Sequence, residues 1–493
     1  MSTVMPMRGP NIADQLTLHA SQRPTKPAII HRDRVIDYRR LDLLVRQRAS
    51  LLLEMGVQPG DVVGVALKDT SEHLVMLYAV ARAGAVILPV DCRWQAGEKL
   101  RVARHFGARC VLVEPGDDFA PGLCVAADEA WLARAEQVVV RDRYAEEDRG
   151  FCLSLSSGTT GRPKGPLLSH AQFMSRFFTH YADLGFGSRE TYINATPLYF
   201  GGGRAFSVSS LYVGATTVLC PPPYKVEELA AEVARTGATI TFLVPTLLRR
   251  VLQAEPRDVA PLRGLRTLIS SGSPLTAEER RRIRNEVCPN FIEYYSSTEG
   301  GGVTVLSNQE LEAQPASVGR PVFGVRLQVV DEQDDPLPPG EVGRIRYEGA
   351  TVAQGFHRDE EASREAFRDG FFYPGDLGYL NEEGYLFLCG RAKDMIIRGG
   401  VNIYPLEIES ILMTHPDVQE AAVVGLPSKE FDEEVAAFVM MRGDRDAAAL
   451  SAWCRERLAP YKVPRHFRFV DEFERNSAGK IIKKRLIEGP TPV

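Results

Sequence analysis

One stretch, Ser154-Leu155-Ser156-Ser157-Gly158-Thr159-Thr160-Gly161-Arg162-Pro163-Lys164-Gly165, constrains this chain more than any other. Five of its residues carry hydroxyls, three are glycines, and one lysine stands behind a proline. Glycine lets backbone N–H groups turn inward and approach a ligand closely. The hydroxyls of Ser156, Ser157, Thr159 and Thr160 can donate to phosphate oxygens, and Lys164 adds positive charge beside the stiff ring of Pro163. A flexible polar surface loop would share this composition. The apolar Phe151, Cys152 and Leu153 just upstream predict a strand feeding the loop, which favours a polyphosphate cradle. The spacing is not that of a P-loop, where lysine directly follows the second glycine. Here Gly165 follows Lys164, and Lys164 stands apart from Gly161.

The rest of the chain must supply a scaffold for that loop. Its 493 residues are enough for roughly two to four domains. From Val35 to Val90 the pattern alternates strand, helix, strand. Leu41, Leu44, Val45, Ala49 and Leu52 share one helical face, and Gly56 stops that helix. Asp61 to Leu67 reads as a buried strand. Leu74, Leu77, Tyr78 and Ala81 line a second helix closed by Gly84, and Ala85 to Val90 is the next strand. The alternation continues through Cys110–Glu114 and Gln137–Val140. Strands separated by helices of this length predict a parallel sheet wrapped by helices. Beyond the loop, His170 to Asp183 predicts a helix, and Thr241–Pro245, Thr267–Ser271 and Phe291–Tyr295 predict further strands.

Several short segments carry chemistry. In Tyr199-Phe200-Gly201-Gly202-Gly203-Arg204, three glycines after two aromatics either leave room for a ligand against a flat wall or form a plain glycine-rich turn. Arg204 suits either a second polar group on that ligand or a structural role. Ser270-Ser271-Gly272-Ser273-Pro274 is a turn at a strand's carboxyl end, where ligands of open α/β sheets gather. Tyr295-Ser296-Ser297-Thr298-Glu299 ends another strand. Glu299 suits Mg²⁺, which takes one or two carboxylates plus phosphate oxygens, or the first turn of a helix. Tyr373-Pro374-Gly375-Asp376 offers a carboxylate in a turn. Near the end stands Asn476-Ser477-Ala478-Gly479-Lys480, followed by the basic Lys483, Lys484 and Arg485.

In this order and over nearly the whole chain, the segments resemble the adenylate-forming superfamily of acyl-CoA synthetases, peptide-synthetase adenylation domains and luciferases, most of all its AMP-forming acyl- or aryl-CoA ligases. The resemblance implies an α/β fold: a large N-terminal domain (1–390) of helix-wrapped mixed sheets with a small β-barrel subdomain around 340–355, a hinge (391–394), and a small mobile α+β C-terminal domain (395–493). It implies that Ser156, Ser157, Gly158, Thr159, Thr160, Gly161 and Lys164 hold the β- and γ-phosphates of ATP. Tyr295 would lie on or near adenine, Thr298 at the α-phosphate, Glu299 at Mg²⁺, Asp376 on the ribose hydroxyls, and Arg391 near ribose and phosphate. Tyr199, Phe200, Gly202, Arg204, Gly272, Ser273 and Ser296 would line the acyl pocket. Many members have histidine where Phe200 falls, so this chain looks more like benzoate-type ligases and points to an aromatic or cyclic acid. Lys393 falls at the hinge, and Gly399 and Gly400 fall where the pantetheine arm of coenzyme A passes. Lys480 would bridge the substrate carboxylate and the α-phosphate. Ser296 replaces a usual glycine, and Pro166 a usual small or branched residue.

The implied reaction joins a carboxylic acid to a thiol with ATP, Mg²⁺ and coenzyme A. A standalone adenylation enzyme loading a carrier protein in trans is the alternative. No carrier domain is expected after Lys480, which favours free coenzyme A. Net charge is −5, which gives no reason to expect nucleic-acid binding. Eight scattered cysteines without a C-x-x-C pair read as reduced thiols. With no apolar leader and no membrane-length apolar run, the expected location is the cytoplasm. A homodimer is carried forward as the candidate assembly.

Overall fold

The computed structural model describes residues 9–140, 148–155, 163–475 and 481–488. Four sheets organise them. The largest has nine strands, and its centre is parallel: Phe291–Ser297, Thr267–Ser270, Ile240–Phe242, Thr191–Asn194 and Thr216–Leu219 lie side by side in that order. A second sheet places Ala108–Val113, Val62–Ala66, Val86–Pro89 and Gly150–Leu153 in parallel, with Leu167–Ser169 antiparallel at the edge. A small, mainly antiparallel sheet holds Val325–Val330, Gly343–Gly349, Asp376–Leu380 and Leu386–Arg391. The last sheet is built entirely from Ile396–Arg398 through His466–Phe469 and covers its own core of Ile396, Ile403, Ile408, Val423, Val435 and Leu450.

Local signals explain most boundaries. Asp37 caps the helix Tyr38–Glu54 by accepting from the Arg40 amide, and Leu41, Leu44, Val45, Ala49 and Leu52 are buried on it. Gly56 follows with φ +85°, a left-handed stop that glycine adopts freely. The helix Ser71–Arg82 is buried all round, not on one face. It shares one core with Ile29 of the large sheet and Val63 and Ile87 of the second, so both of its sides need apolar residues.

Three expectations are corrected. Gln137–Val140 is not a strand. Asp128 caps a helix, Glu129–Gln137, that consumes Gln137, Val139 is left exposed, and the next parallel strand is Gly150–Leu153. Thr241–Pro245 ends as a strand at Phe242, because Pro245 opens the helix Pro245–Gln253. Gly201, Gly202 and Gly203 form no turn; they are the first residues of the helix Gly201–Val213. Glycine is needed there because a Cβ on Gly203 would stand 2.4 Å from the Pro197 carbonyl oxygen.

Three histidines lie deep in this scaffold. Burial pushes His73 and His170 down to about 4 and His180 to about 3. The unfolded chain titrates these groups near ~6.5. Below that pH it takes up protons that the folded chain refuses, so stability is full above pH ~6.5 and falls as pH drops toward ~4. Each histidine costs about 1.4 kcal/mol per pH unit in that window. Urea unfolding at pH 7 and pH 5 is expected to show a clearly lower midpoint at pH 5. Equal midpoints would contradict the buried neutral histidines.

Candidate active site

The parallel centre of the large sheet delivers its carboxyl ends to one edge. Tyr199 and Phe200 follow Thr191–Asn194, Val244 follows Ile240–Phe242, Ser271 to Ser273 follow Thr267–Ser270, and Tyr295 and Ser296 end the neighbouring strand. All of them line a cleft of about 2490 Å³. Lys164, Gly202, Arg204, Thr298, Glu299, Asp376, Arg391 and Lys393 line it as well. The phosphate-loop residues Ser156, Ser157, Gly158, Thr159, Thr160 and Gly161 lie outside the described residues, as does Lys480.

The loop's base is described. Strands Gly150–Leu153 and Leu167–Ser169 form a hairpin, and the Ser154 amide donates to the Pro166 carbonyl at 3.1 Å. Pro166, which had no account from sequence, thus closes the hairpin through its one remaining backbone polar group. Next to it the His357 amide donates to the Gly165 carbonyl, and Lys164 Nζ stands 5.4 Å from the centre of the Phe356 ring.

Opposite lies a corner of three side chains. The Tyr295 hydroxyl donates to Asp376 Oδ2 at 2.6 Å, and Arg391 Nε meets Asp376 Oδ1 at 3.0 Å. Burial and the adjacent carboxylate push the Tyr295 hydroxyl far up, so it stays a donor. Asp376 and Arg391 face each other across paired strands. Arg391, placed in the hinge from sequence, is therefore the last residue of the strand Leu386–Arg391; only Ala392–Asp394 form the short 3₁₀ turn after it.

Thr298 and Glu299 occupy the tip of the hairpin joining Phe291–Ser297 to Gly301–Leu306, which removes the helix-start alternative for Glu299. The Ser297 hydroxyl accepts from the Gly300 amide and bonds Tyr347 at 2.7 Å, which holds the tip. Burial raises the Glu299 carboxyl above its ordinary range. Burial thus disfavours its charged form, which a counter-charge would stabilise. Among the described residues no cluster of three or more potential ligands could hold a metal ion without outside ligands. One carboxylate lining the cleft is the kind of donor that Mg²⁺ takes together with phosphate oxygens.

The side of the cleft where sequence expects the acyl group is aromatic. Phe177, His180, Phe200, Phe206, Phe242 and Tyr294 line this part of the cleft. The rings of His180 and Phe206 lie 4.6 Å apart and those of Phe206 and Phe242 5.0 Å. Ser296 bonds Ser271 at 2.9 Å, next to Tyr295 of the three-residue corner. Arg204 does not reach out to a ligand as a free charge. It is buried, and its Nη1 donates to the Tyr199 carbonyl at 2.7 Å, bracing the loop that presents Tyr199 and Phe200. Asp69 braces the same loop from the second sheet by accepting from the Leu198 amide at 2.6 Å.

The C-terminal residues divide. Arg475, Ile481 and Lys483, on either side of Lys480, line the cleft. Gly399 and Gly400, with φ +56° and +80°, form an exposed hairpin turn outside it. Two residues that brace the site had no sequence motif, Arg176 and Asp69. The signal for Arg176 was a charged residue inside the otherwise apolar stripe Phe173, Phe177, His180 of a helix.

A model described as AMP-binding enzyme matches residues 16–357, and one described as AMP-binding enzyme C-terminal domain matches 407–480. The chain belongs to the AMP-binding enzyme family. Within it, the chain is 31% identical over 486 residues to a feruloyl-CoA synthase of Amycolatopsis sp, covering 97% of this chain and 98% of the relative. It is 29% identical over 479 residues to a 2-succinylbenzoate–CoA ligase of Bacillus licheniformis, covering 96% and 98%. Among solved structures, ATP-bound MatB from Rhodopseudomonas palustris matches with a TM-score of 0.88 at 30% identity, covering 97% and 99%. The o-succinylbenzoate CoA synthetase of Bacillus subtilis, in complex with its acyl-adenylate intermediate, matches with a TM-score of 0.87 at 25% identity, covering 98% and 99%. The family's fold is that of a large mixed α/β body with a separate C-terminal domain, as found here. Among the described residues no helix is long and apolar enough to cross a membrane.

Proposed function

We propose that this chain is an AMP-forming carboxylate–CoA ligase for an aromatic or cyclic acid. The observation that carries the reading is the convergence on one sheet edge of the Tyr295–Asp376–Arg391 corner, the Glu299 tip, the base of the phosphate hairpin and an aromatic pocket. The acid's carboxylate oxygen attacks the α-phosphorus of ATP, and the bond to pyrophosphate breaks. The sulfur of coenzyme A then attacks the acyl carbon, its proton passes to solvent, and the bond to AMP breaks. The feruloyl-CoA synthase and 2-succinylbenzoate–CoA ligase relatives are named for acids with an aromatic ring, which supports that substrate class.

Asp376 accepts the ribose hydroxyls, a charged hydrogen-bond arrangement that suits adjacent hydroxyls. Tyr295 orients Asp376 and flanks adenine, and Thr298 meets the α-phosphate. Lys164 and the phosphate loop hold the departing pyrophosphate. Glu299 would hold Mg²⁺, which would supply charge to offset the phosphates. Lys480 bridges the two reacting anions. The hinge at Lys393 lets the C-terminal domain, residues 395–493, rotate between the two steps. The segments flanking Lys480 line the cleft while the Gly399–Gly400 turn stands outside it, which is the arrangement the first step needs. All eight cysteines are free, which supports a reducing, cytoplasmic setting.

Exchange of labelled pyrophosphate into ATP tests the first step alone. Exchange that requires an aromatic acid but no coenzyme A is the expected result; none with any acid would overturn the reading. The pocket assignment has its own check. A Cβ on Gly202 would come within 2.7 Å of Phe242, so Gly202→Val pushes a side chain into the aromatic wall. The ratio of kcat/KM for aryl over short aliphatic acids is expected to fall roughly tenfold or more.

A further inference from the structure

We propose that Arg176 is a positioning residue that sets the Thr298–Glu299 tip for the metal-bound nucleotide. The inference rests on the ligase reading but concerns a residue outside every motif. Arg176 is buried, on the helix His170–Ala182. Its Nη2 donates to the Glu299 carbonyl at 2.7 Å, its Nη1 to the Thr298 carbonyl at 3.2 Å, and its Nε to the Thr351 carbonyl at 2.9 Å. The Ala353 amide donates to the same Glu299 carbonyl at 2.9 Å. From the same helix, Gln172 reaches the Val352 carbonyl at 2.7 Å. The tip is thus tied to the segment around Thr351 through one guanidinium.

Two features separate this from an ordinary core contact. The first is the choice of acceptors. Arg176 spends these donors on backbone carbonyls of the tip and of the Thr351 segment, so the guanidinium fixes where the two stand relative to each other; among the described residues no carboxylate ion-pairs with it. The second is geometry. The helix begins directly after the strand Leu167–Ser169 that closes the phosphate hairpin, and Ser169 and Gln172 form its capping box. One rigid element therefore links the strand Leu167–Ser169 to the carboxylate tip. The three acceptors lie in three directions that a planar fork reaches and a lysine ammonium does not. Gly301, with φ +75°, leaves space for the stem; a Cβ there would sit 3.0 Å from Arg176 Cγ.

The test is calorimetric binding of ATP with Mg²⁺ and of ATP with EDTA to wild type, Arg176→Lys, Arg176→Met, Glu299→Gln and the double variant Arg176→Lys/Glu299→Gln, alongside thermal unfolding. Arg176→Lys keeps charge and most of the volume, so it stays informative where Arg176→Met unfolds. The expected result is a loss of roughly tenfold or more in affinity for ATP with Mg²⁺, little change with EDTA, and no further loss when Arg176→Lys is added to Glu299→Gln. Folded variants that bind both forms as wild type does, or lose both equally, would overturn the positioning role. A wild type that binds no ATP in either condition would instead overturn the ligase reading.

Discussion

Lys480→Ala is expected to lower acyl-adenylate formation about a thousandfold while leaving thioester formation from pre-made adenylate nearly intact. Two unit charges about 4 Å apart repel by about 4 kcal/mol at an effective dielectric of ~20. The acid's carboxylate and the α-phosphate face that repulsion when they meet, and about 4 kcal/mol is about a thousandfold in rate. No general base helps, because the attacking oxygen is already ionised. Lys480 is the cation assigned to that gap. The second step has a neutral acyl carbon and a good leaving group, and on the proposed mechanism the lysine withdraws to admit the thiol. Single-turnover assays of the two half-reactions check this, and equal loss of both would contradict a C-terminal domain that serves the steps in turn.

Asp376→Ala is expected to cut kcat/KM for ATP by roughly a hundredfold or more, with the KM for acid little changed. Two charge-assisted hydrogen bonds to ribose are worth about 1.5–3 kcal/mol each. The variant also strands the Tyr295 hydroxyl, which donates to Asp376 Oδ2 at 2.6 Å, and leaves Arg391 without its 3.0 Å carboxylate. Initial rates at varied ATP and varied acid separate the two constants. Asp376→Asn keeps an acceptor for Tyr295 but loses the charge, so it should fall between wild type and Asp376→Ala. Wild-type ATP kinetics in both variants would remove Asp376 from the ribose site.

The parts of this site that were legible in the sequence are those whose chemistry is written on one short segment. Tyr295, Thr298 and Glu299 share one strand and its turn, and Asp376 follows Gly375 at the start of another. Their backbone setting is local, and all four line the cleft. Arg176 was invisible for the opposite reason. It meets Thr298 across 122 positions and Thr351 across 175, and only the folded helix puts a charge from an apolar stripe beside the tip. Asp69 meets Leu198 across 129 positions in the same way. Local composition also misled. Gly201, Gly202 and Gly203 read as a turn because glycine disfavours helix interiors. The tight approach of Pro197 to Gly203 makes glycine the residue that fits that helical start. The alternating apolar pattern overshot at Val138–Val140, where the capped helix Glu129–Gln137 takes the place of a strand.

The central claim, that one cleft activates an acid with ATP and passes it to coenzyme A, is tested most directly by measuring AMP formation from ATP over a panel of carboxylic acids, each with and without coenzyme A. The panel spans benzoates, phenylpropenoates, cyclic acids, dicarboxylates and fatty acids. The account predicts sustained AMP turnover only when coenzyme A and an aromatic or cyclic acid are both present, with acyl-CoA formed in equal amount. Adenylate that accumulates and that coenzyme A cannot discharge would contradict it and point to a carrier-protein thiol as the acceptor.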